Sequence, residues 1–348
     1  MVGAVGTTRK TPALRFSTWR TPPSLTDVDV PDPVGDEVLV RVEAAGICHS
    51  DLHVLDAAEG VLPYRLPFTL GHETAGHVRA LGDTATGVAI GDRVAVYGPW
   101  GCGECRSCAA GRDNYCDRRA DLGFSGAGLG RDGGMAGHLL VPHARHLVPI
   151  GDLDATQAAP LTDAGLTSYH AVAGVARKLG PDSTVVVVGV GGLGHVAIQI
   201  LRAVTEAEVV AVDVREDALA LAERSGAHRT LPGAESLPGR SADAVFDFVG
   251  SDATLRLAAG VLRPGGDLAL VGSAGGKLPI GKPGPLPAGG SVSLPFWGSR
   301  PELAEVIGLA RAGVLRVETE IFALSEAAEA LERLRAGKII GRAVLRPG

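Results

Sequence analysis

Residues 185–214, VVVVGVGGLGHVAIQILRAVTEAEVVAVDV, constrain the fold more than any other stretch of the chain. Four consecutive valines predict a buried parallel strand, and Gly189, Gly191 and Gly194 then complete the pattern G-x-G-x-x-G. The next ten residues have apolar side chains at helical spacing, and VVAV predicts a second strand that ends at Asp213. Strand, glycine-rich turn, helix and strand in this order predict a doubly wound α/β sheet.

The same turn predicts a dinucleotide site. The three glycines of the motif allow a pyrophosphate to approach the backbone, and Gly192 and Leu193 lie between them in the same turn. The N-terminus of the following helix attracts the pyrophosphate with its N–H groups and its positive dipole. Asp213 comes 19 residues after Gly194, where a carboxylate binds the adenosine ribose hydroxyls and repels a 2′-phosphate. The sequence therefore predicts NAD rather than NADP, although Arg215 leaves residual tolerance of NADP open.

The rest of the chain divides into parts of different character. Its 348 residues are enough for two domains, because single cores rarely grow past about 250–300 residues. Before about residue 160 the pattern predicts short alternating strands between Gly and Pro turns. AVFDFVGSDATLRLAAGVL, RPGGDLALVGS and SVSLPF continue the doubly wound pattern, and PELAEVIGLARAG and SEAAEALERLRAG predict amphipathic helices before a last strand, RAVLRP.

Four of the five cysteines lie in residues 101–116, GCGECRSCAAGRDNYC. Cys102, Cys105, Cys108 and Cys116 have the spacing C-x2-C-x2-C-x7-C, which is typical of a tetrahedral zinc site closed by protein. A pair of disulfides or reactive thiols is the alternative, and a reducing compartment disfavours disulfides. Because four thiolates leave no open coordination position, we interpret this site as structural.

A second, dispersed set of metal-binding residue types remains. Cys48 lies in AAGICHSDLH, His72 in TLGHETAGHV, and Asp163 between two turn patterns in PLTDAGLTSYH. A thiolate, an imidazole and a carboxylate can hold zinc with a fourth position open for water or substrate. Spacing alone leaves this interpretation open, because a lone cysteine is more often a small buried side chain.

Charge and hydropathy exclude several other classes of protein. The chain has 33 basic and 39 acidic residues, so its net charge is −6, and no basic run would bind nucleic acid or an anionic membrane. No apolar stretch reaches the roughly 18 residues that span a bilayer, and the N-terminus does not resemble a signal peptide. We therefore expect a cytoplasmic protein, and the mixed charge around the cysteines disfavours a zinc-ribbon nucleic-acid binder.

Taken together, the motifs resemble the zinc-dependent medium-chain alcohol dehydrogenase family over nearly the whole chain. GHETAGHVRALGDTA is similar to its zinc motif, GDRV follows, and the cysteine lobe and GVGGLG come at the expected places. YGPWGCG, PLTDAGLT and GRAVLRPG most resemble bacterial NAD-dependent secondary-alcohol dehydrogenases. The resemblance implies a GroES-like β-rich catalytic domain at 1–163 with its zinc lobe at about 100–118, a Rossmann NAD-binding domain at 164–298, and a return to the catalytic domain at 299–348.

The resemblance also implies an active site in the cleft between the domains and assigns its ligands. Cys48, His72 and Asp163 match the catalytic zinc ligands, and Glu73 matches an acid that sometimes approaches the metal. Many relatives have a cysteine where this chain has Asp163, and an oxygen donor is harder than sulfur. The first ten or so residues are an extension to which the sequence assigns no role.

Further residues match the family's proton relay and cofactor contacts. The resemblance implies that a zinc-bound alcohol forms an alkoxide by losing its proton to Ser50, and that the nicotinamide ribose passes this proton to His53. The other predicted cofactor residues are His49 and Arg342 at the pyrophosphate, Thr167 on the nicotinamide side, and Val249 and Val271. By position, the predicted substrate pocket consists of Tyr64, Trp100, Leu129, Phe296 and Trp297, with ordinary core packing as the alternative.

These features predict an enzyme with two zinc ions and NAD that interconverts alcohols, in our interpretation apolar secondary ones, with ketones or aldehydes. A primary-alcohol dehydrogenase or aldehyde reductase is the enzymatic alternative. A non-catalytic NAD-binding remnant that keeps only the structural zinc is the alternative from another class. The apolar edge strand SVSLPF favours a homodimer, because an exposed edge is a liability in a monomer, and the resemblance to bacterial relatives implies a homotetramer as the alternative.

Overall fold

The computed structural model describes residues 8–233 and 237–348, so most of the predicted N-terminal extension lies outside the described residues. The chain forms two compact units. The first contains the described residues up to Asp163, together with Ser299–Arg311 and Thr319–Gly348, and the second contains Ala164–Gly298 and Ala312–Glu318. Residues 312–318, which the sequence places in the C-terminal return, pack with the second unit instead.

The first unit is rich in short antiparallel strands. Its larger sheet has the order β10-β6-β5-β3-β18-β17, with β9 also paired to β3, and a smaller sheet has the order β2-β1-β4. The valines of VLVRVEAAG alternate into the core and are fully buried, which fixes the register of the central strand. The strands are β1 Thr8–Phe16, β2 Ser24–Pro31, β3 Val38–Ile47, β4 Phe68–Thr69, β5 Glu73–Leu81, β6 Arg93–Val96, β7 Gly126–Ala127, β8 Gly130–Arg131, β9 His138–Val141, β10 Leu147–Pro149, β17 Thr319–Ala323 and β18 Arg342–Arg346.

Short helices connect or cover these strands. Among the described residues the longest helix, α9, has 12 residues, and none is long and apolar enough to cross a membrane. The helices of the first unit are α1 His49–Asp56, α2 Arg106–Ala109, α3 Arg119–Leu122, α4 Ala155–Pro160, α9 Arg300–Arg311 and α10 Ala327–Arg335.

The second unit is the doubly wound sheet that the glycine motif predicts. Its six described strands are all parallel, in the order β13-β12-β11-β14-β15-β16, which is the 3-2-1-4-5-6 order of the Rossmann fold. The valines of β11 are buried on both faces, as parallel strands require. The elements are β11 Thr184–Val188, β12 Glu208–Val212, β13 Arg229–Leu231, β14 Ala242–Asp247, β15 Leu262–Leu270, β16 Ser291–Ser293, α5 Leu166–Ala173, α6 Gly194–Val204, α7 Glu216–Arg224 and α8 Asp252–Val261.

Two local predictions are corrected. The strand predicted over SVSLPF ends at Ser293, and Pro295 cannot donate a backbone hydrogen bond to continue it. Asp163 does not lie between turns but within a single π-helical turn, Leu161–Gly165, between α4 and α5. Such turns occur frequently at functional sites.

Candidate active site

The four residues of the predicted catalytic metal set lie together in the first unit. Cys48 caps the N-terminus of α1 directly after β3, His72 and Glu73 stand at the start of β5, and Asp163 lies on the π-helical turn. One ligand atom from each residue lies within 4.8 Å of all the others. Three separate elements thus bring a thiol, an imidazole and two carboxylates to one point.

The spacing of these atoms fits zinc. Cys48 Sγ and His72 Nε2 lie 3.3 Å and 3.4 Å from Asp163 Oδ2. A tetrahedral zinc with sulfur at about 2.3 Å and nitrogen or oxygen at about 2.0–2.1 Å separates its ligands by about 3.3–3.6 Å. The three residues match a catalytic zinc site, in which protein supplies three ligands and leaves one position open.

Asp51 is a further residue of this site that the sequence interpretation missed. Its Oδ1 lies 3.4 Å from His72 Nδ1, and its Oδ2 accepts a 2.8 Å hydrogen bond from the backbone N–H of Cys48. A carboxylate on the far nitrogen orients a ligating histidine and directs its other nitrogen to the metal. The signal in the sequence was the acid three residues after Cys48, the reciprocal position of a helix capping box.

Most of the charged groups around the set are buried. Burial lowers the pKa of His72, but Asp51 and Asp163 outweigh it and raise that pKa well above its usual 6.5. Burial raises the pKa of Glu73 to about 8, although the Arg342 guanidinium donates a hydrogen bond to its carboxylate. Arg342 therefore lies against Glu73, both fully buried, and its predicted contact with the pyrophosphate stays a prediction.

Helix α1 carries the predicted proton-relay residues Ser50 and His53 and the predicted pyrophosphate contact His49. Ser50 lies in its first turn, with Oγ 3.6 Å from Cys48 Sγ. His53 lies one turn later and is exposed, as is His49 at the start of the helix. Because residues three apart share a helix face, Ser50 and His53 point the same way from the metal set to the surface.

The four clustered cysteines form the second metal group among the described residues. All are free thiols, which removes the disulfide alternative, and Sγ of Cys102 and Cys108 are 4.0 Å apart. Backbone N–H groups of Cys108 and Asp117 point at Cys105 Sγ, and they lower the pKa of that thiol to about 6. Burial raises the pKa of the Cys108 thiol, so the lobe favours a thiolate at Cys105, whereas a thiolate at Cys108 requires the bound zinc.

Asp113 braces this lobe from inside. It accepts hydrogen bonds from the backbone N–H of Gly101 at 3.1 Å and from the Arg145 guanidinium, and it lies 3.7 Å from His146 Nε2. Burial alone would raise the pKa of Asp113, but His146 and Arg145 lower it to about 2. His146 in turn stacks on the buried Trp100, with ring centroids 5.6 Å apart, which connects the lobe to the core.

His146 makes the stability of the protein depend on pH. Burial lowers its pKa from 6.5 to about 4 despite the Asp113 carboxylate. Between pH 6.5 and pH 4 the unfolded chain takes up a proton on His146 more readily than the folded protein does. The free energy of unfolding is therefore highest above pH 6.5 and falls by roughly 3 kcal/mol as the pH is lowered to 4. We expect His146→Phe, which keeps the stack on Trp100, to unfold with a shallower pH dependence than the wild type in this window. Chemical denaturation at pH 7.0 and pH 4.5 measures the free energy of unfolding of both proteins. An equal loss of this free energy in the wild type and the variant would contradict the role of His146.

The glycine turn of the second unit fits a dinucleotide. Gly189 has φ +85°, and a Cβ on Gly194 would lie 2.0 Å from the carbonyl oxygen of Gly189, so neither position accepts a side chain. A Cβ on Gly191 would meet nothing within 4 Å, which leaves open space for a ligand against the backbone. The turn opens α6 at its N-terminus, where an anion is stabilised.

Asp213 stands at the end of β12 beside this turn, as predicted. Its Oδ2 accepts a 2.7 Å hydrogen bond from the backbone N–H of Val190, inside the glycine turn. Its Oδ1 accepts the backbone N–H of Arg215 at 3.0 Å. Asp213 therefore fixes the turn as well as presenting a carboxylate, a link that the sequence interpretation missed.

The remaining predicted cofactor residues belong to the same unit. Thr167 is buried on α5, and Val249 and Val271 lie partly exposed, two residues after the end of β14 and one residue after the end of β15. Ligands of open α/β sheets bind at the carboxyl ends of the strands. The positions of Val249 and Val271 agree with this rule, and their contacts to a cofactor stay predictions.

The predicted pocket residues divide between the two units. In the first unit, Trp100 is buried and borders a groove of about 760 Å³ beside the cysteine lobe, a groove whose lining includes none of the four catalytic-set residues. Tyr64 donates to Ser125 Oγ at 3.1 Å, and Leu129 is nearly buried. In the second unit, Phe296 packs edge-on against Trp297, and Trp297 holds a φ of +50° that is rare for a bulky residue.

Comparison with known proteins finds a matching family model for each of the two units. Residues 35–152 match the family model for an alcohol dehydrogenase GroES-like domain, and residues 192–312 match that for a zinc-binding dehydrogenase. The chain is 38% identical to the NAD-dependent alcohol dehydrogenase of Sulfurisphaera tokodaii, over 96% of this chain and 99% of that protein. The chain belongs to the zinc-dependent medium-chain alcohol dehydrogenase family.

Solved structures of the family have the same fold as this dehydrogenase. An alcohol dehydrogenase from Aeropyrum pernix superposes with a TM-score of 0.89 at 37% identity, covering 97% of this chain and all of that one. The acetophenone reductase of Geotrichum candidum, in complex with NAD, superposes with a TM-score of 0.86 at 33% identity, covering 99% and 98%. The predicted GroES-like and Rossmann folds are confirmed, and this member of the family is an oxidoreductase.

Proposed function

We propose that this dehydrogenase interconverts apolar secondary alcohols and ketones with NAD as the hydride carrier. The observation that carries the proposal is the convergence of Cys48, His72 and Asp163, with ligand atoms within 4.8 Å of one another. A non-catalytic remnant would have no reason to keep three ligands from three distant segments at zinc-binding distances.

Cys48, His72 and Asp163 would hold the catalytic zinc, and Cys102, Cys105, Cys108 and Cys116 the structural one. Zinc at the first site supplies a Lewis acid that polarises the substrate oxygen and lowers the pKa of an alcohol. Asp51 contributes by holding His72 in position, and Arg342 holds Glu73 by a hydrogen bond at the metal set. The cysteine lobe contributes stability, because its four ligands leave no position for substrate.

Ser50 and His53 are the residues that we propose move the proton of the alcohol. Ser50 Oγ lies close to the metal set, at 3.6 Å from Cys48 Sγ, and His53 is exposed one helical turn later. A hydroxyl at the metal and an imidazole at the surface give the proton a donor–acceptor route to solvent. His53→Ala would lower turnover near neutral pH, and added imidazole buffer would restore part of it.

The glycine turn and Asp213 support NAD as the coenzyme. The open space at Gly191 admits a pyrophosphate, and Asp213 presents a carboxylate at the end of the second strand. Two relatives are described with NAD, the Sulfurisphaera enzyme by name and the Geotrichum enzyme by its bound ligand. NAD supplies the hydride acceptor, and the protein supplies orientation and electrostatics.

Two observations support a secondary, apolar substrate. The Geotrichum relative is named for acetophenone, a ketone whose reduction gives a secondary alcohol, at 33% identity over nearly the whole chain. In this chain the aromatic pair Phe296 and Trp297 follows the last strand of the nucleotide-binding sheet, and Trp297 has a positive φ of the kind that is often found at functional sites. Apolar walls would favour alkyl and aryl ketones over polyols.

The test is NADH formation, followed by absorbance, with 2-alkanols and 1-alkanols of equal chain length. We expect faster turnover of the 2-alkanols, because an open apolar pocket accepts substituents on both sides of the reacting carbon. Faster turnover of the 1-alkanols would assign the chain to the primary-alcohol branch and overturn the substrate proposal. If neither the 2-alkanols nor the 1-alkanols are oxidised, the proposal that this chain is an alcohol dehydrogenase with a catalytic zinc is overturned.

We also propose that the chain associates with copies of itself through the edge strand β16. This strand ends the six-stranded sheet, and the side chains after it are exposed, Leu294 at 70% and Phe296 at 40%. Pairing two such edges across a two-fold axis would extend the sheet and cover these apolar groups. A sedimentation mass of one chain would contradict it.

A further inference from the structure

A cation stands next to the carboxylate that we assign to the adenosine ribose. Arg215 is the N-terminal cap of α7 and follows Asp213 by two residues, with a side chain that is 33% exposed. A guanidinium near this carboxylate is the group that accommodates the 2′-phosphate of NADP. The chain therefore carries one element of NADP recognition although its carboxylate favours NAD.

Two carboxylates hold this guanidinium. Arg215 Nε lies 3.9 Å from Asp213 Oδ1 and 3.7 Å from Asp217 Oδ1. Asp217 lies in the first turn of α7, where the helix dipole stabilises an acid, and its side chain is 43% exposed. With Arg215 between two acids, a phosphate that approaches it meets an excess of negative charge.

Asp213 also stabilises the backbone of the glycine turn, which Asp217 does not. Both of its carboxylate oxygens accept backbone N–H groups, from Val190 in the glycine turn and from Arg215. Replacing Asp213 would disturb the turn on which any dinucleotide depends. Among the described residues no backbone N–H of the glycine turn is found to donate to Asp217. Asp217 can therefore hold the Arg215 guanidinium without affecting the conformation of the turn.

We propose that Asp217 is a specificity-determining residue that restrains Arg215 from binding a 2′-phosphate. Selectivity for NAD then has two parts, the repulsion by Asp213 and the occupation of Arg215 by Asp217. This inference rests on the proposed NAD-dependent function. Neutralising Asp217 removes one of the two carboxylates that hold the guanidinium, while the ribose carboxylate and the glycine turn stay intact.

The experiment compares Asp217→Asn, Arg215→Gln and the double variant with the wild type, all as zinc-loaded enzyme. One readout is the ratio of kcat/KM for NADP+ to that for NAD+ with the same alcohol. The other is the dissociation constants of 2′,5′-ADP and 5′-AMP by calorimetry, which need no catalysis. For Asp217→Asn we expect both ratios to shift about fivefold towards the phosphorylated compound, the effect of releasing one partly exposed ion pair. The shift must vanish in the double variant.

Glu216→Gln is the matched control, because Glu216 is the other acid of the same helical turn. Its effect on both ratios should stay within about twofold, since Glu216 is exposed and salt screens such a surface charge. An unchanged ratio in Asp217→Asn would overturn the proposal, as would a shift that persists without Arg215 or an equal shift in Glu216→Gln. If the wild type binds neither 5′-AMP nor 2′,5′-ADP and uses neither coenzyme, the proposed function itself fails.

Discussion

Asp163→Ala is expected to lose the catalytic zinc and nearly all alcohol oxidation, while the protein keeps its fold and its structural zinc. Asp163 Oδ2 lies 3.3 Å from Cys48 Sγ and 3.4 Å from His72 Nε2, so its removal takes away one of the three proposed ligands. A bound Lewis acid contributes several kcal/mol to the transition state, which corresponds to a fall in kcat/KM of about a thousandfold. Zinc per chain, measured by elemental analysis, should fall from two to one.

Asp163→Cys is the matched control for this result. A thiolate carries the same charge as the carboxylate and is a good zinc ligand, so two zinc ions per chain should remain. Its kcat/KM should stay within about tenfold of the wild type, because the metal and its open position are preserved. Full activity with two zinc ions in Asp163→Ala would show that this carboxylate is not a ligand.

Cys108→Ala is expected to have the second large effect, and it acts on stability rather than on chemistry. Cys108 is buried, and its thiol belongs to the group of four whose sulfurs lie within 4.8 Å of one another. Loss of a structural metal belongs to the few changes that cost about 4 kcal/mol or more of the free energy of unfolding. Zinc should fall to one per chain, and the melting temperature by about 10 °C.

Ser107→Ala isolates the metal from ordinary packing in the same short helix. Ser107 is buried and donates a 3.1 Å hydrogen bond to Asp117, and its loss should cost only about 1 kcal/mol with both zinc ions retained. Enzyme that stays folded in Cys108→Ala at low temperature should turn over at a rate close to the wild type. An inactive but folded Cys108→Ala protein would contradict a purely structural role for the lobe.

The sequence predicts local structure best where periodicity and turn chemistry agree. The strand, turn and helix around Gly189 to Gly194 match the prediction within one residue, because four valines, three glycines and an amphipathic helix each point to the same element. The cysteine lobe is equally local, since its ligands fall within 15 consecutive residues. Such features need no knowledge of tertiary contacts.

The catalytic set could be predicted only through the family resemblance. His72 follows Cys48 by 24 residues, and Asp163 follows His72 by another 91, so no local pattern joins them. The roles of Asp51 beneath His72 and of Asp213 beside Val190 depend on pairings between elements, which a single sequence does not display. The strand predicted over SVSLPF was too long for a simpler reason, because proline lacks the N–H that a ladder needs.

The most direct test of the account is the dependence of NADH formation on zinc content. Enzyme treated with a chelator until one zinc per chain remains would be titrated with zinc, and the rate with a 2-alkanol measured at each step. Because the site at Cys48, His72 and Asp163 has the open position and the cysteine lobe is closed, we expect the remaining zinc to lie in the lobe and the enzyme to show no turnover. The rate should then rise in proportion to the second zinc. Full turnover with zinc in the cysteine lobe alone would contradict a catalytic metal at this site.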